Sequence, residues 1–280
     1  MPERPDRDQP DHDRPDRPEY PTSIGTSDAD SISLLGHDLA GDLIGQIGFG
    51  ELAYLLVARR RPTPGQLRVF EAVLVSLADH GFTPTAIAAR LTYYSAPDSL
   101  QGALAAGLLG GGSRFLGVTE DTGLYLQGVL STLGDTSAFT SADWDDAARA
   151  AITATAATGG KVPGLGHPVH KQGDPRTPVI IGIAAEAGVK GPYLELFEAV
   201  GRVHPDVLGR TLPLNGAGVA GAALADAGLP VELLRGFALL ARTAGLLGHL
   251  AEEIEHPVAP TVYREVDRNA VYREPSAPTE

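Results

Sequence analysis

The run Val162–Arg176, VPGLGHPVHKQGDPR, holds the chain's most chemically loaded residues. Pro163, Gly164 and Gly166 break both the helical and the strand period and let the backbone approach a ligand closely. They leave His167 as a titratable group on a shaped loop. Lysine occurs only at Lys161, Lys171 and Lys190, and the first two bracket this loop, so they are candidate contacts for an anionic ligand. Arg176 closes the run. Two further groups stand apart. His80, in ADHG, sits at the end of an apolar helical pattern, where a histidine reads as a helix cap, a satisfied core group or a ligand contact. Arg242, in ARTAG, interrupts an apolar helix face, and a guanidinium buried there needs a partner, for which a substrate carboxylate is one candidate.

Other chemistries are disfavoured. Gly110–Gly112 is glycine-rich but lacks the following Gly-Lys-Ser/Thr of a P-loop, and suits close helix packing or a hinge. His167 and His170 lie three apart on a loop with no third ligand near them in sequence, which argues against a metal site. There is no cysteine, so disulfides and thiolate metal centres are excluded. A net charge of −13 offers no basic face for nucleic acid. Met1–Tyr20 alternates Pro, Asp and Arg without the apolar stretch of a secretory signal, and no later segment is apolar enough to span a membrane. A cytoplasmic protein is expected.

These groups must be positioned by helices. With 280 residues, 43% hydrophobic, 6% aromatic and 34 glycines, the core must be built from Ala, Leu, Val and Gly, which suits closely packed helices. Leu67, Phe70, Val73, Leu74 and Leu77 recur at helical spacing, with Gly81 as the stop. Thr83 and Pro84 open the next helix, interrupted at Ser95–Pro97. Gln101–Leu109 reads as helical again and rich in small residues, and Ser141–Ala156, Gly191–Val203 and Pro230–Ile254 carry the same period. Val179–Ile183 reads either as a strand or as the first turns of a helix. No segment alternates over four residues, so the fold is expected to be all-α. Residues 1 to about 26, rich in proline and charge, have too little to bury to be ordered.

From Asp28 to Glu255 the chain resembles the citrate synthase superfamily, and most closely its short citryl-CoA lyase-like branch. The resemblance is carried in order by GFGELAYLL, ADHGFTPTAIAARLTY, SLQGALAAGLLGGGSRFLG, the His167 loop, PLNGAGVAG and LLARTAGLLGHLAEE. It implies a large helical domain, 28–114 with 221–265, into which a smaller helical domain, 115–220, is inserted. The active site would lie in the cleft between them, flanked by tails at 1–27 and 266–280. It also implies a homodimer acting on small molecules, with a coenzyme A thioester as substrate and no permanently bound cofactor.

The reaction of such a site joins or breaks the bond between an acyl-CoA methyl carbon and a 2-oxo acid carbonyl. It passes through a thioester enolate, so it needs oxyanion stabilisation, proton transfer on carbon and arginines for carboxylates. By resemblance, His167 polarises the carbonyl, Arg176 and Arg242 bind carboxylate, and His80 contacts the same substrate. Pro163, Gly164, Leu165, Gly166 and Lys171 fall in the coenzyme A region, with main chain toward the adenine and the cation toward phosphate. Arg264 stands in for an arginine that relatives contribute across the subunit interface.

Two departures qualify the resemblance. Where synthases carry a histidine in Leu-His-Gly-Gly, Gly112–Gly117 reads GSRFLG, which is similar to the G-x-R-F-x-G of ATP-citrate lyase. The family's catalytic aspartate is replaced by Asn215, which can donate a hydrogen bond but cannot ionise. Water or His170 would then take the proton, and Asp226 has no motif support. The expected activity is cleavage of citryl-CoA to acetyl-CoA and oxaloacetate, or the reverse condensation. The alternatives are a citrate or 2-methylcitrate synthase, and a non-catalytic coenzyme A- or oxo-acid-binding subunit.

Overall fold

The computed structural model describes residues 19–275. Backbone proximity divides the chain into two compact units, Met1–Leu52 and Ala53–Glu280.

The first unit contains a small antiparallel sheet of β1 (Gly25–Ser27), β2 (Ile32–Leu34) and β3 (His37–Asp38), followed by a π-helical turn at Leu39–Leu43. Leu34 pairs with His37 across Leu35 and Gly36, both at positive φ, the two-residue turn that suits a hairpin. Asp28 Oδ1 accepts the N–H groups of Asp30 and Ser31 and shapes the turn between β1 and β2. The sequence shows no strand here because two or three residues are too few to display a period of two. Strand β1 thus lies within the stretch expected as a tail, and residues 1–18 of that stretch lie outside the described residues.

Helix α1 (Phe49–Ala58) runs across the division. The second unit continues with α2 (Pro64–Leu77), α3 (Pro84–Ser95), α4 (Leu100–Leu109), α5 (Val118–Leu130) and α6 (Ser141–Ala157). It is completed by α7 (Arg176–Glu186), α8 (Pro192–Leu208), α9 (Gly216–Asp226), α10 (Leu234–Glu255) and α11 (Ala259–Asn269). The expectation of an all-α fold holds apart from the hairpin sheet. Thr63 and Gln66 form a reciprocal capping box ahead of Pro64, which fixes where α2 starts. Val179–Ile183 is helical, inside α7. The sequence analysis does not resolve α5, because the face it buries is Thr119, Thr122, Gly123 and Leu126, polar and small rather than an apolar stripe. Helix α11 runs to Asn269, past the point where a C-terminal tail was expected.

The centre of this unit is α9, GAGVAGAALAD, buried along nearly its whole length. With almost no side-chain bulk it lets α2, α5, α7 and α8 pack on it from several sides. Gly221 lies so close to the backbone of Thr119 that no Cβ would fit. Phe70 of α2 stacks edge-on between Tyr54 and Phe237, with ring centroids 5.8 and 5.2 Å away. One continuous core includes Tyr54, Phe70, Trp144, Val203 and Phe237, and so joins the segments expected as large and small domains. A smaller core of Ala86, Ala89, Ala103, Leu246 and Leu250 holds α3, α4 and α10 together. This packing brings four features to one place: the α2–α3 loop, the start of α7, the start of α9 and the middle of α10.

Candidate functional site

A cavity of about 400 Å³ opens where these four features meet, and His80, His167, Arg176, Asn215 and Arg242 all line it. Phe82 and Phe115 supply much of its apolar wall, and Arg114 of the GSRFLG run also reaches it. Sequence reasoning did not assign these three a role.

The His167 loop is strapped to the segment before α9. Gly166 N–H donates to the Pro213 carbonyl at 2.7 Å, and Asn215 N–H to the Gly164 carbonyl at 2.9 Å. Gly164 is at φ 82° and packs against Phe197 and Gly218, so the strap requires glycine there. The main-chain groups of Gly164 and Gly166 expected to meet adenine are thus largely taken by the protein itself.

His167 Nδ1 accepts backbone N–H groups from Val169 and His170 at 3.1 and 2.9 Å. Two donors aimed at Nδ1 place the ring proton on Nε2, so the ring presents a donor at its other end. Burial lowers the His167 pKa, as do the nearby His170, His80 and Arg176, against a smaller opposing pull from Asp174. The ring is neutral at pH 7 and suited to polarising a carbonyl oxygen.

Arg176 is less free than its motif implied. Its Nε and Nη2 form a two-pronged pair with Asp174 at 3.0 and 2.7 Å, and Nη1 donates to the Ser76 carbonyl at 3.2 Å. Asp174 is fully buried and also accepts the Gly216 N–H at 2.7 Å. Burial alone would raise its pKa, but the guanidinium and the N–H groups outweigh that and hold the carboxyl well below the usual range. The fork expected to clamp a substrate carboxylate is committed internally, because the aspartate two residues earlier lies within its reach.

Arg242 contrasts with it. Only 5% of it is exposed, it donates to Thr83 Oγ1 and the Leu77 carbonyl at 3.3 Å each, and its buried Nε has no partner. Burial pushes its pKa down, yet an arginine remains charged at neutral pH. It forms no ion pair among the described residues. Asp79 acts on it only at a distance, without an ion pair. A buried cation that no carboxylate contacts, opening on a cavity, is arranged for an anion.

Asn215 caps α9 through Oδ1, which accepts the Gly218 N–H at 2.8 Å, and Nδ2 donates to the Gly166 carbonyl at 2.8 Å. Both ends of the amide are occupied, so the residue holds the loop in place rather than standing free for proton transfer. Asp226, at the end of α9, does not line the cavity; it accepts N–H groups of Gly191, Tyr193 and Leu194 and caps α8. No acidic side chain lines the cavity among the described residues.

His80, His167 and His170 come together, with one ring nitrogen of each within 4.8 Å of the others. The third ligand that sequence spacing lacked is thus supplied by His80 from the α2–α3 loop, across a separation no local pattern could reveal. The tautomer nevertheless disfavours a metal. A ligating neutral imidazole donates its second N–H, whereas His167 Nδ1 is already an acceptor.

A second cavity of about 300 Å³ shares Gly166 with the first and is lined by Leu165, Lys161 and Arg210. Lys171 is exposed and lines neither cavity, whereas Lys161 and Arg210 line the second. Pro163 and Gly164 line neither. Arg264, on α11, is exposed and lies away from both cavities of its own chain.

Residues 48–264 match the family described as "Citrate synthase, C-terminal domain". The chain belongs to the citrate synthase family. A citrate synthase from Deinococcus radiodurans is 30% identical over 227 residues, covering 78% of this chain and 55% of that protein. The chain thus spans about half the length of that curated relative. Among solved structures, citryl-CoA lyase from Hydrogenobacter thermophilus is 30% identical with a TM-score of 0.80, covering 93% of this chain and 96% of that one. ATP citrate lyase from Methanothrix soehngenii, solved with citrate and coenzyme A, shares the fold at a TM-score of 0.74 and 21% identity, covering 95% of this chain and 43% of that one. No helix among the described residues is long and apolar enough to cross a membrane.

Proposed function

We propose that this citrate synthase family member cleaves citryl-CoA, or a close analogue, to acetyl-CoA and oxaloacetate, or runs the reverse condensation. The observation that carries this reading is the meeting of a neutral, Nε2-protonated His167, His80 and the unpaired Arg242 in one cavity. The likeness in length and fold to the Hydrogenobacter lyase supports it.

In this reading Arg242 holds a carboxylate of the oxo-acid half, and His167 Nε2–H donates to the C3 oxygen. Because Nδ1 of His167 is occupied and Nε2 already carries its proton, another group must receive the C3 hydroxyl proton. His80 is the nearest imidazole that lines the cavity. As the proton moves to His80, the C2–C3 bond breaks and its electron pair becomes the thioester enolate. The proton then passes from His80 to the CH2 carbon, giving acetyl-CoA and oxaloacetate with nothing left over. Lys161 and Arg210 flank the adjoining cavity and meet coenzyme A phosphate, and 115–220 acts as the smaller lobe.

Incubation of the purified protein with synthetic citryl-CoA, with oxaloacetate release followed by coupled NADH oxidation, tests this. Release at a rate proportional to enzyme concentration is expected. A synthase instead shows thiol release from acetyl-CoA or propionyl-CoA with oxaloacetate. A second reading, a binding subunit without turnover, draws on the engaged Asn215 amide and the lack of a carboxylate in the wall. It predicts calorimetric binding of oxaloacetate or coenzyme A with no turnover in either direction.

A further inference from the structure

We propose that His249, outside the cavity, is a positioning residue for His80, an inference that rests on His80 acting in the reaction proposed above. His80 sits in a short loop between α2 and α3 that α10 grips at three successive places on one face. Arg242 holds the Leu77 carbonyl and Thr83. Gly245, one turn on, leaves space for the Ala78 carbonyl, which a Cβ would strike. His249, a turn further, meets Asp79 with Nε2 to Oδ1 at 2.9 Å.

The direction of that last bond is fixed from behind. Arg90 Nε and Nη2 lie 3.1 and 2.9 Å from His249 Nδ1. A guanidinium only donates, so Nδ1 must accept and Nε2 must carry the proton given to Asp79. Asp79 Oδ2 in turn accepts the Gly81 N–H at 2.7 Å, so the residue before His80 ties down the residue after it. Arg90 is itself 2% exposed and anchored by the equally buried Glu253 at 2.8 Å. The other oxygen of Glu253 takes the Val258 and Ala259 N–H groups at the start of α11. A continuous hydrogen-bond chain thus runs from the α11 turn to the loop bearing His80: Glu253 accepts from both the turn and Arg90, Arg90 donates to both Glu253 and His249, and His249 donates to Asp79. Catalysis that needs His80 at a defined distance from His167 depends on the donor that His249 supplies.

The test uses the full chain and two substitutions of opposite design. In His249→Gln the amide oxygen accepts from Arg90 and the amide nitrogen donates to Asp79. His249→Leu fills the space and does neither. With citryl-CoA as substrate, His249→Leu is expected to lower kcat about tenfold or more with KM changed less than about threefold, and His249→Gln to restore kcat to within about threefold of the native chain. In protein labelled with 15N-histidine, the His80 ring resonances are expected to move in His249→Leu and to stay near their native positions in His249→Gln. Should His249→Leu fail to fold, Asp79→Ala, at a half-exposed carboxylate, breaks the same link and carries the same expectations. An unmoved His80 resonance in the leucine variant, or a glutamine variant as impaired as the leucine one, overturns the inference. If the native chain has no turnover but His80 moves as stated, the positioning stands and the lyase reading falls.

Discussion

Asp174 and Arg242 are buried charges with opposite fates. Asp174 is surrounded by donors, so removing it strands the Arg176 guanidinium and the Gly216 N–H. Asp174→Ala should lower unfolding stability by about 3 kcal/mol in urea titrations. Because its folded pKa is depressed, its stabilisation is present above the unfolded value near 3.9 and is lost only as pH falls through the folded one, so it does not titrate near neutrality. Arg242 has no such partner, and its unbonded Nε carries a desolvation penalty of about 1–3 kcal/mol. Arg242→Met should therefore leave the melting temperature unchanged or raise it, by calorimetry, while abolishing function. Residue types were legible in the sequence here, since His167 and Arg242 were singled out by a glycine loop and by a charge on an apolar face. Their availability was not. That the Arg176 fork closes on Asp174, and that Asn215 spends both amide ends on the loop and α9, follows from side-chain geometry that motifs do not encode.

Helices decide which of these groups can meet. Gly245 lies in the middle of α10, where alanine would ordinarily add about 1 kcal/mol of helix stability. Its Cβ would collide with the Ala78 carbonyl, so Gly245→Ala should instead destabilise the fold and displace the His80 loop. Thermal melting together with the kcat of the variant checks both effects. Asp226 caps α8 from the end of α9. Burial pushes its pKa up to about 6, against the N–H groups of Leu194, Gly191 and Tyr193. The folded state then binds this proton more tightly than the unfolded state, so its contribution falls by about 3 kcal/mol as pH rises from about 4 to about 6 and is flat above. Urea unfolding at pH 4.5, 6 and 7.5 should show this slope in the native chain and not in Asp226→Asn. The periodic helices α2, α3, α6, α8 and α10 were legible from apolar spacing. Helix α5 was hidden because Thr119, Thr122 and Gly123 form its inner face, and the β1–β3 hairpin because its strands are shorter than any detectable period.

At the scale of the whole chain, whose charge is −13, cations gather at one cavity and its neighbour, as the anionic substrates proposed above require. Arg114, Arg176 and Arg242 line the first, and Lys161 and Arg210 the second. The family was readable from motif order, and its resemblance already set His80 and His167 at one substrate; spacing could not show that His170 joins them, because His80 is distant in sequence and packing of α2 against α7 and α9 brings the three together. The central claim is that His167, His80 and Arg242 receive one oxo acid. Isothermal titration of oxaloacetate into the native chain and into Arg242→Met tests it most directly. The account predicts binding to the native chain that weakens at least about 100-fold in the variant, about 2.7 kcal/mol. Equal affinity in both proteins would contradict it.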